Sequence, residues 1–237
     1  MIQKIEYING NGYRYVTTSF QFSNDKSQLE SIIAKASMLS GVVSPFDPKG
    51  DFRPFSVRLS KNTGGTLAEE SFKMYVQSLI KTNGLNAKII DTNVREEIDE
   101  QIGTQIDVLL EVNGKKKSIE VRSSFSYKTS FKRLFGIPLY NGKGAFSIIG
   151  WYKHQHKPEE ERKNYYIFVI HYYHPTKIGQ YCKNEVTAYI AGAASEKTLE
   201  TKGYDDNLKQ RGAMYRVINP LISVADPIDV IDEILEI

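Results

Sequence analysis

The segment QIDVLLEVNGKKKSIEVRSSF, residues Gln105–Phe125, decides the fold that the sequence predicts. Apolar residues alternate with polar ones on both sides of a central turn, which is the period of a half-buried β-strand. They are Ile106, Val108 and Leu110 before the turn, and Ile119 and Val121 after it. Between the two runs lies Asn113-Gly114, a dipeptide that tolerates positive φ at both central positions of a tight turn. We therefore predict an antiparallel hairpin.

Three charged side chains lie out of phase with the apolar residues of this hairpin. Asp107 is on the first strand, and Glu120 and Arg122 are on the second. Because successive side chains of a strand point to opposite faces, we expect all three to project from one polar face. Two carboxylates and a cation on adjacent strands can hold a divalent metal ion and a phosphate group.

The composition is ordinary for a globular protein. The chain has 237 residues, of which 41% are hydrophobic and 25% are charged, enough for one large domain. The single cysteine, Cys182, excludes an internal disulfide framework and fits a reducing compartment. The N-terminus lacks the apolar segment of a secretory signal, and the most apolar run, Tyr165–Tyr173, is too short to cross a bilayer. We expect one domain over residues 1–237, in the cytoplasm and without a membrane partner.

Basic residues are concentrated beside the hairpin. Between Asn113 and Arg133 there are seven basic residues and one acid, whereas residues 226–236 hold five acids and no base. This asymmetry favours a basic surface that suits a polyanion. For Lys115, Lys116 and Lys117 the alternative, that they solvate the hairpin turn, stays open.

Periodicity predicts further elements on both sides of the hairpin. Residues 1–22 are expected to form a strand pair, followed by a helix that ends at Gly41. Ala87–Asp91 and Tyr165–Tyr173 are expected to be strands, the second of them central to a sheet. The C-terminus is expected to end in an acidic helix over residues 227–235.

The segment Ser44–Gly65 is rich in proline and glycine, so we predict a loop there with a short strand at Phe55–Leu59. A helix is then predicted from about Thr66, capped by the preceding glycines. Glu69 lies on the apolar stripe of this helix, whereas Glu70 is turned about 100° away from it. A buried acid needs a partner or a metal ion. The alternative, a first-turn acid favoured by the helix dipole, stays open.

This order of elements resembles the core of the PD-(D/E)xK nuclease superfamily, the restriction-endonuclease-like proteins. Three segments carry the resemblance: GGTLAEESF around Glu69, QIDVLLEV around Asp107, and SIEVRSS around Glu120. The resemblance covers about residues 64–173. It implies an α/β (α+β) fold with an αβββαβ core, in which helices flank a mixed central sheet. Residues 1–63 and 174–237 would be elaborations that serve DNA recognition or dimerisation.

The resemblance also implies a set of site residues. Asp107, Glu120, Glu69 and the backbone carbonyl of Val121 would bind Mg²⁺, for which Mn²⁺ could substitute. Asp107, Glu120, Glu69 and Arg122 would be the catalytic residues. Arg122 stands where the superfamily has lysine; arginine binds phosphate well, but its permanent charge prevents it from acting as a general base.

The function implied is that of a metal-dependent deoxyribonuclease of the type II restriction kind, which hydrolyses DNA phosphodiester bonds with metal-activated water. Double-stranded DNA would be the partner, and a homodimer would match a palindromic site. The expected phosphate contacts come from Lys115, Lys116, Lys117, Lys128, Lys132 and Arg133. Two alternatives stay open, a catalytically silent nucleic-acid-binding module of the same fold and an interaction domain that binds no nucleic acid.

Overall fold

The computed structural model describes residues 2–7, 13–46, 50–90, 107–127, 147–154, 161–208, 213–219 and 226–237. The α-helices in these ranges are α1 (Phe22–Val42), α2 (Phe55–Asn83), α3 (Ile178–Tyr181), α4 (Glu196–Lys202) and α5 (Pro227–Leu235), and a 3₁₀ turn at Pro175–Lys177 precedes α3. The strands are β1 (Ile2–Tyr7), β2 (Arg14–Gln21), β3 (Ala87–Ile90), β4 (Val108–Val112), β5 (Lys115–Phe125), β6 (Ile148–His154), β7 (Tyr165–His171), β8 (Glu185–Ser195), β9 (Tyr204–Asp206) and β10 (Ala213–Ile218).

Seven of the described strands form a mixed sheet in the order β1-β2-β8-β7-β5-β4-β3. Strands β5 and β7 run parallel, and the other neighbours in this sheet run antiparallel. Strands β6, β10 and β9 form a second sheet, which we call the small sheet. The predicted α/β class, a mixed central sheet flanked by helices and elaborated at both ends, is confirmed. Strands β1, β2 and β8 are the elaborations that widen the central sheet.

The hairpin formed by β4 and β5 follows the predicted pattern. Its turn residues Asn113 and Gly114 have φ values of 50° and 78°, as a tight turn of this kind requires. Its alternating apolar side chains are buried against one face of α2 in the largest apolar cluster described. The contacting residues include Val108, Leu110, Ile119 and Val121 of the hairpin and Ala68, Phe72 and Val76 of the helix.

Helix α2 begins eleven residues earlier than the sequence predicted, at Phe55. The strand expected at Phe55–Leu59 and the helix start expected at Thr66 are therefore wrong. Pro54 precedes the first helical turn, where its missing N–H costs nothing. Gly64 and Gly65 lie inside the helix rather than at its cap, and tertiary contacts explain why a glycine is needed there.

At Gly64, helix α2 comes close enough to the central sheet to exclude any side chain. A Cβ atom at position 64 would lie 2.5 Å from Cζ of Phe125, far inside van der Waals contact. The carbonyl of Gly64 accepts a hydrogen bond of 2.8 Å from Nε2 of His171 on β7. This close approach fixes the height of α2 over strands β5 and β7.

We expect Gly64→Ala to destabilise the protein, since the clash with Phe125 outweighs the gain in helix propensity. Overpacking of this kind costs about 1–3 kcal/mol. Gly65→Ala is the matched control, because a Cβ atom at position 65 meets nothing within 4 Å. That substitution should stabilise the helix by about 0.5–1 kcal/mol. Urea denaturation of both variants measures the two effects, and equal changes in the free energy of unfolding would contradict the close approach.

His171 is fully buried between β7 and α2. Its Nε2 donates to the carbonyl of Gly64, and its Nδ1 lies 3.2 Å from the hydroxyl of Tyr173. Burial lowers the pKa of His171 to about 4, because the charged imidazolium would lose its hydration. The ring is therefore neutral at pH 7.

This lowered pKa predicts acid sensitivity. The unfolded chain takes up a proton near pH 6.5, but the folded one only near pH 4, so stability falls as the pH drops from 6.5 to 4. The loss amounts to at most about 3 kcal/mol. In His171→Gln, which retains a donor for Gly64, this part of the pH dependence should vanish. Urea denaturation at pH 7 and pH 4.5 tests it; an unchanged pH profile in the variant would contradict the assignment.

Candidate metal and phosphate site

The candidate site lies where strands β4 and β5 separate. The last described pair of this ladder joins Val108 to Ile119, so residues 120–125 of β5 pair with β7 on one side and with no described strand on the other. The carboxylate of Asp107 takes the place of the missing strand, since the N–H of Val121 donates to its Oδ2 at 2.7 Å. A polar edge of the sheet is thus exposed beside α2.

A cleft of about 420 Å³ opens along this edge. Its floor is the β5 edge, one wall is formed by helices α1 and α2, and the other wall by residues of, and next to, the small sheet. The lining residues are Leu39, Val43, Asn62, Gly65, Thr66, Glu69, Asp107, Glu120, Val121, Arg122, Ser123, Ile149, Leu208 and Tyr215. Five residues expected from the sequence to form the site, Glu69, Asp107, Glu120, Val121 and Arg122, meet in this cleft.

Glu69 lies in the middle of α2, so the alternative of a first-turn acid is wrong. The residue is buried, with 9% of its surface exposed, yet it lines the cleft. Its Oε2 lies 2.9 Å from Nζ of Lys35 on α1, an ion pair that offsets the cost of burial. Glu69 is therefore one of the acids of the site and has a cationic partner from a different helix.

The acids of the cleft lie close enough to affect one another. Burial raises the pKa of Asp107 well above its ordinary value, and the negative charges of Glu120 and Glu69 raise it further. The hydrogen bond from Val121 and the charge of Arg122 act in the opposite direction. Crowded carboxylates of this kind favour a bound cation, which relieves their mutual repulsion.

Arg122 and Glu120 are two residues apart on β5, so their side chains project from the same face of the strand. Nη2 of Arg122 lies 3.4 Å from Oε1 of Glu120. The two side chains are 20% and 14% exposed, respectively, so both reach the cleft from a largely buried position. The guanidinium group is thus held at the edge of the acidic cluster.

The direction of the Val121 carbonyl follows from the direction of the N–H group of the same residue. In an antiparallel ladder, the N–H and C=O of one residue point toward the same neighbouring strand. Because the N–H of Val121 is directed to Asp107, its carbonyl faces the same open edge. This carbonyl is an oxygen donor next to the carboxylates of Asp107 and Glu120.

These oxygen donors are of the type that Mg²⁺ and Mn²⁺ prefer. Among the residues that the structure describes, no three His, Cys, Asp or Glu side chains are grouped closely enough to hold a metal ion. Each acid is instead engaged by a donor of the protein: Glu69 by Lys35, Asp107 by the N–H of Val121, and Glu120 by Arg122. The donor set fits a divalent cation in its chemistry, and binding one would require these side chains to exchange partners.

The three lysines next to the hairpin turn do not line the cleft. Lys115 and Lys116 are exposed beside the turn, about 13–17 Å along β5 from Glu120 at the rise of a strand. Lys117 has a different role: its Nζ donates to the carbonyl of Ile234 at 2.7 Å and to Oε1 of Glu236 at 2.9 Å. It therefore joins the sheet to the end of α5, and its contact with DNA phosphates stays a prediction. Lys128, Lys132 and Arg133 lie outside the described residues.

Two features around the site were missed from the sequence: Lys35, which pairs with Glu69 from behind the cleft wall, and the wall formed by the small sheet. Lys35 lies three residues after Ile32 and four before Leu39, on the same helical face as both, and this spacing was the available signal. The wall that contains Ile149, Leu208 and Tyr215 gave no such signal. This wall combines residues of β6, which precedes β7 in the chain, with residues of segments nearer the C-terminus, so its members are far apart in the sequence.

No protein-family model and no solved structure matches the chain. An uncharacterized protein of Methanocaldococcus jannaschii is 26% identical to it, over 90% of this chain and 83% of that protein. The description of that relative names no activity. None of the helices in the described ranges combines the length and the apolar character needed to cross a membrane.

We expect Lys117→Met to lower the melting temperature by about 2–4 °C, since the carbonyl of Ile234 loses a charged hydrogen-bond donor. Lys116→Met is the matched control: its side chain is exposed, and its loss should leave the melting temperature almost unchanged. Thermal unfolding followed by circular dichroism measures both. Equal melting temperatures for the two variants would contradict the structural role of Lys117.

Proposed function

We propose that this protein is a metal-dependent deoxyribonuclease that hydrolyses phosphodiester bonds of double-stranded DNA. One observation carries the proposal: Glu69, Asp107, Glu120 and Arg122 come from three separate elements and converge on one cleft. Three acids and an arginine in a partly enclosed cleft suit a reaction at a phosphate group.

The arrangement of elements around the cleft supports the same proposal. Helix α2 is followed by the antiparallel strands β3, β4 and β5, then by β6 of the small sheet and by β7, which is parallel to β5. The helix and these central-sheet strands follow the order expected from the resemblance to PD-(D/E)xK nucleases, whereas the second helix of the expected αβββαβ core is not among the described residues between β5 and β7. The acids follow the same order: Glu69 is on the helix, Asp107 immediately precedes the second strand, and Glu120 is on the third.

Asp107, Glu120 and the carbonyl of Val121 would hold the divalent cation, with Glu69 as a further acid. Their hard oxygen atoms suit Mg²⁺. The pKa of Asp107 is raised first by burial and then by the charges of Glu120 and Glu69, and such a cation would relieve this repulsion. When bound, this cation would supply an activated water and offset negative charge on the phosphate.

The remaining groups of the cleft bind and orient the DNA. Arg122 offers a planar, permanently charged fork that matches two phosphate oxygens. Leu39, Val43, Ile149 and Leu208 form apolar parts of the walls. These side chains reduce the access of water, which strengthens each electrostatic contact inside the cleft.

Within this proposal the protein is a cytoplasmic endonuclease of a restriction system. A homodimer would place two such clefts on the two strands of a palindromic site. Each protomer would then cut one strand.

A second candidate function is a catalytically silent DNA-binding module. It is favoured by the contacts of Glu120 with Arg122 and of Glu69 with Lys35, in which cations of the protein already neutralise two of the acids. In that case Arg122 would bind a phosphate without cleavage. DNA binding that is equally strong with and without a divalent cation would distinguish this module from a metal-dependent nuclease.

The test of the proposal is cleavage of plasmid and phage DNA by the purified protein in Mg²⁺ or Mn²⁺, compared with EDTA. Asp107→Asn and Glu120→Gln should each reduce the rate by at least about 100-fold, because each removes a cation ligand. Glu70→Gln is the matched control: it lies on the same helix as Glu69 but pairs with Lys73 at 3.5 Å and does not line the cleft.

The control variant should cleave at the wild-type rate. Cleavage by both the Asp107→Asn and the Glu120→Gln variant would show that the reaction takes place outside this cleft. DNA binding without cleavage in any divalent cation would favour the silent module, and absence of DNA binding would overturn both functions.

A further inference from the structure

The ion pair between Lys35 and Glu69 differs from a solvated surface pair. Its side chains are 17% and 11% exposed, and the Nζ–Oε2 distance is 2.9 Å. It joins two different helices, so neither residue is held by the regular spacing within one helix. A partly buried pair also carries a desolvation cost, and replacing such a pair with apolar side chains is often neutral for stability. Stability alone therefore does not account for it.

Other contacts already hold α1 against α2. Leu29 and Ile32 of α1 pack with Leu67 of α2 in a buried apolar cluster. Nη1 of Arg58 donates to the carbonyls of Ser40 and Val43, both at 2.7 Å, and Asn62 donates to the hydroxyl of Ser40. The two helices are thus joined without the ion pair.

The position of the ion pair links it to the cleft. Glu69 lines the cleft, and Leu39, one helical turn after Lys35 on α1, does so as well. The Lys35 ammonium group therefore lies directly behind the cleft wall, on a carboxylate that also interacts electrostatically with Asp107. Any divalent cation that draws Glu69 into its shell competes with Lys35 for that carboxylate.

We infer that Lys35 is an exchangeable counter-ion of Glu69, which it releases when a divalent cation binds so that its ammonium group can contact the DNA phosphate. The inference rests on the proposed function and adds to it a second cationic side chain, beside Arg122, that contacts the phosphate. Lysine suits this exchange because its charge is compact and its stem is flexible, whereas the rigid fork of Arg122 favours one fixed geometry.

This role predicts two opposite effects of Lys35→Met. Binding of Mn²⁺ in the absence of DNA should become about fivefold tighter, because the competing ammonium group is gone, an effect of the size of a partly exposed ion pair. DNA cleavage should become at least about tenfold slower, because a phosphate contact is lost. Lys35→Arg, which retains a cation, should bind Mn²⁺ with nearly the wild-type affinity.

Lys73→Met is the matched control. Lys73 pairs with Glu70 on α2 at 3.5 Å, and its side chain is 15% exposed, much as that of Lys35 is. This variant should leave both Mn²⁺ affinity and cleavage unchanged. Isothermal titration calorimetry measures the affinity, a plasmid assay the cleavage, and thermal unfolding the folded state of each variant. Lys35→Gln serves as a second variant if the methionine lowers stability.

The outcomes separate the two proposals. Unchanged or weaker Mn²⁺ binding by folded Lys35→Met and Lys35→Gln would overturn the role of Lys35, even if the wild-type protein cleaves DNA. Tighter Mn²⁺ binding by these variants, with no cleavage by the wild-type protein, would support the counter-ion role and overturn the nuclease. Absence of Mn²⁺ binding by the wild-type protein would overturn both.

Discussion

The close approach of helix α2 to strands β5 and β7 is the constraint on which the site depends. A hydrogen at position 64, in place of a side chain, lets the helix rest on Phe125, and the carbonyl of Gly64 accepts a hydrogen bond from His171. Five residues further along the same helix, Glu69 reaches the edge of β5. The acid on the helix and the acids on the hairpin meet because a glycine and a buried neutral histidine set the distance between the two layers.

The hairpin could be predicted because the sequence signals that specify it come from residues close together in the chain. The alternation of Val108, Leu110, Ile119 and Val121 and the turn at Asn113-Gly114 each depend on a few neighbouring residues, and the structure agrees with them. The start of α2 could not be predicted in this way. Its glycines signal a break locally, and only the ring of Phe125, sixty-one residues away from Gly64, explains why one of them is required inside the helix. Here tertiary packing overrides propensity.

The same distinction applies to the candidate site. Asp107, Glu120 and Arg122 lie within sixteen residues of one another in the chain, so their spacing alone suggested a common site. Lys35 comes from another helix, and its contact with Glu69 exists only through the packing of α1 on α2. The structural contact of Lys117 could not be predicted for a related reason: its charge is visible in the sequence, but the acidic end of α5 that engages it is more than a hundred residues away.

The two walls of the cleft belong to different parts of the fold and are held in place by different contacts. The acids and Arg122 are fixed by the packing of α2 on the central sheet, whereas Leu208 and Tyr215 lie in and beside the small sheet, at the far end of the chain. Substitutions in that wall can change the shape of what fits without disturbing the charged groups. If the proposed function holds, selectivity and reactivity are therefore separable in this architecture, and a lineage of such proteins could change what it binds while the charged groups of the cleft stayed the same.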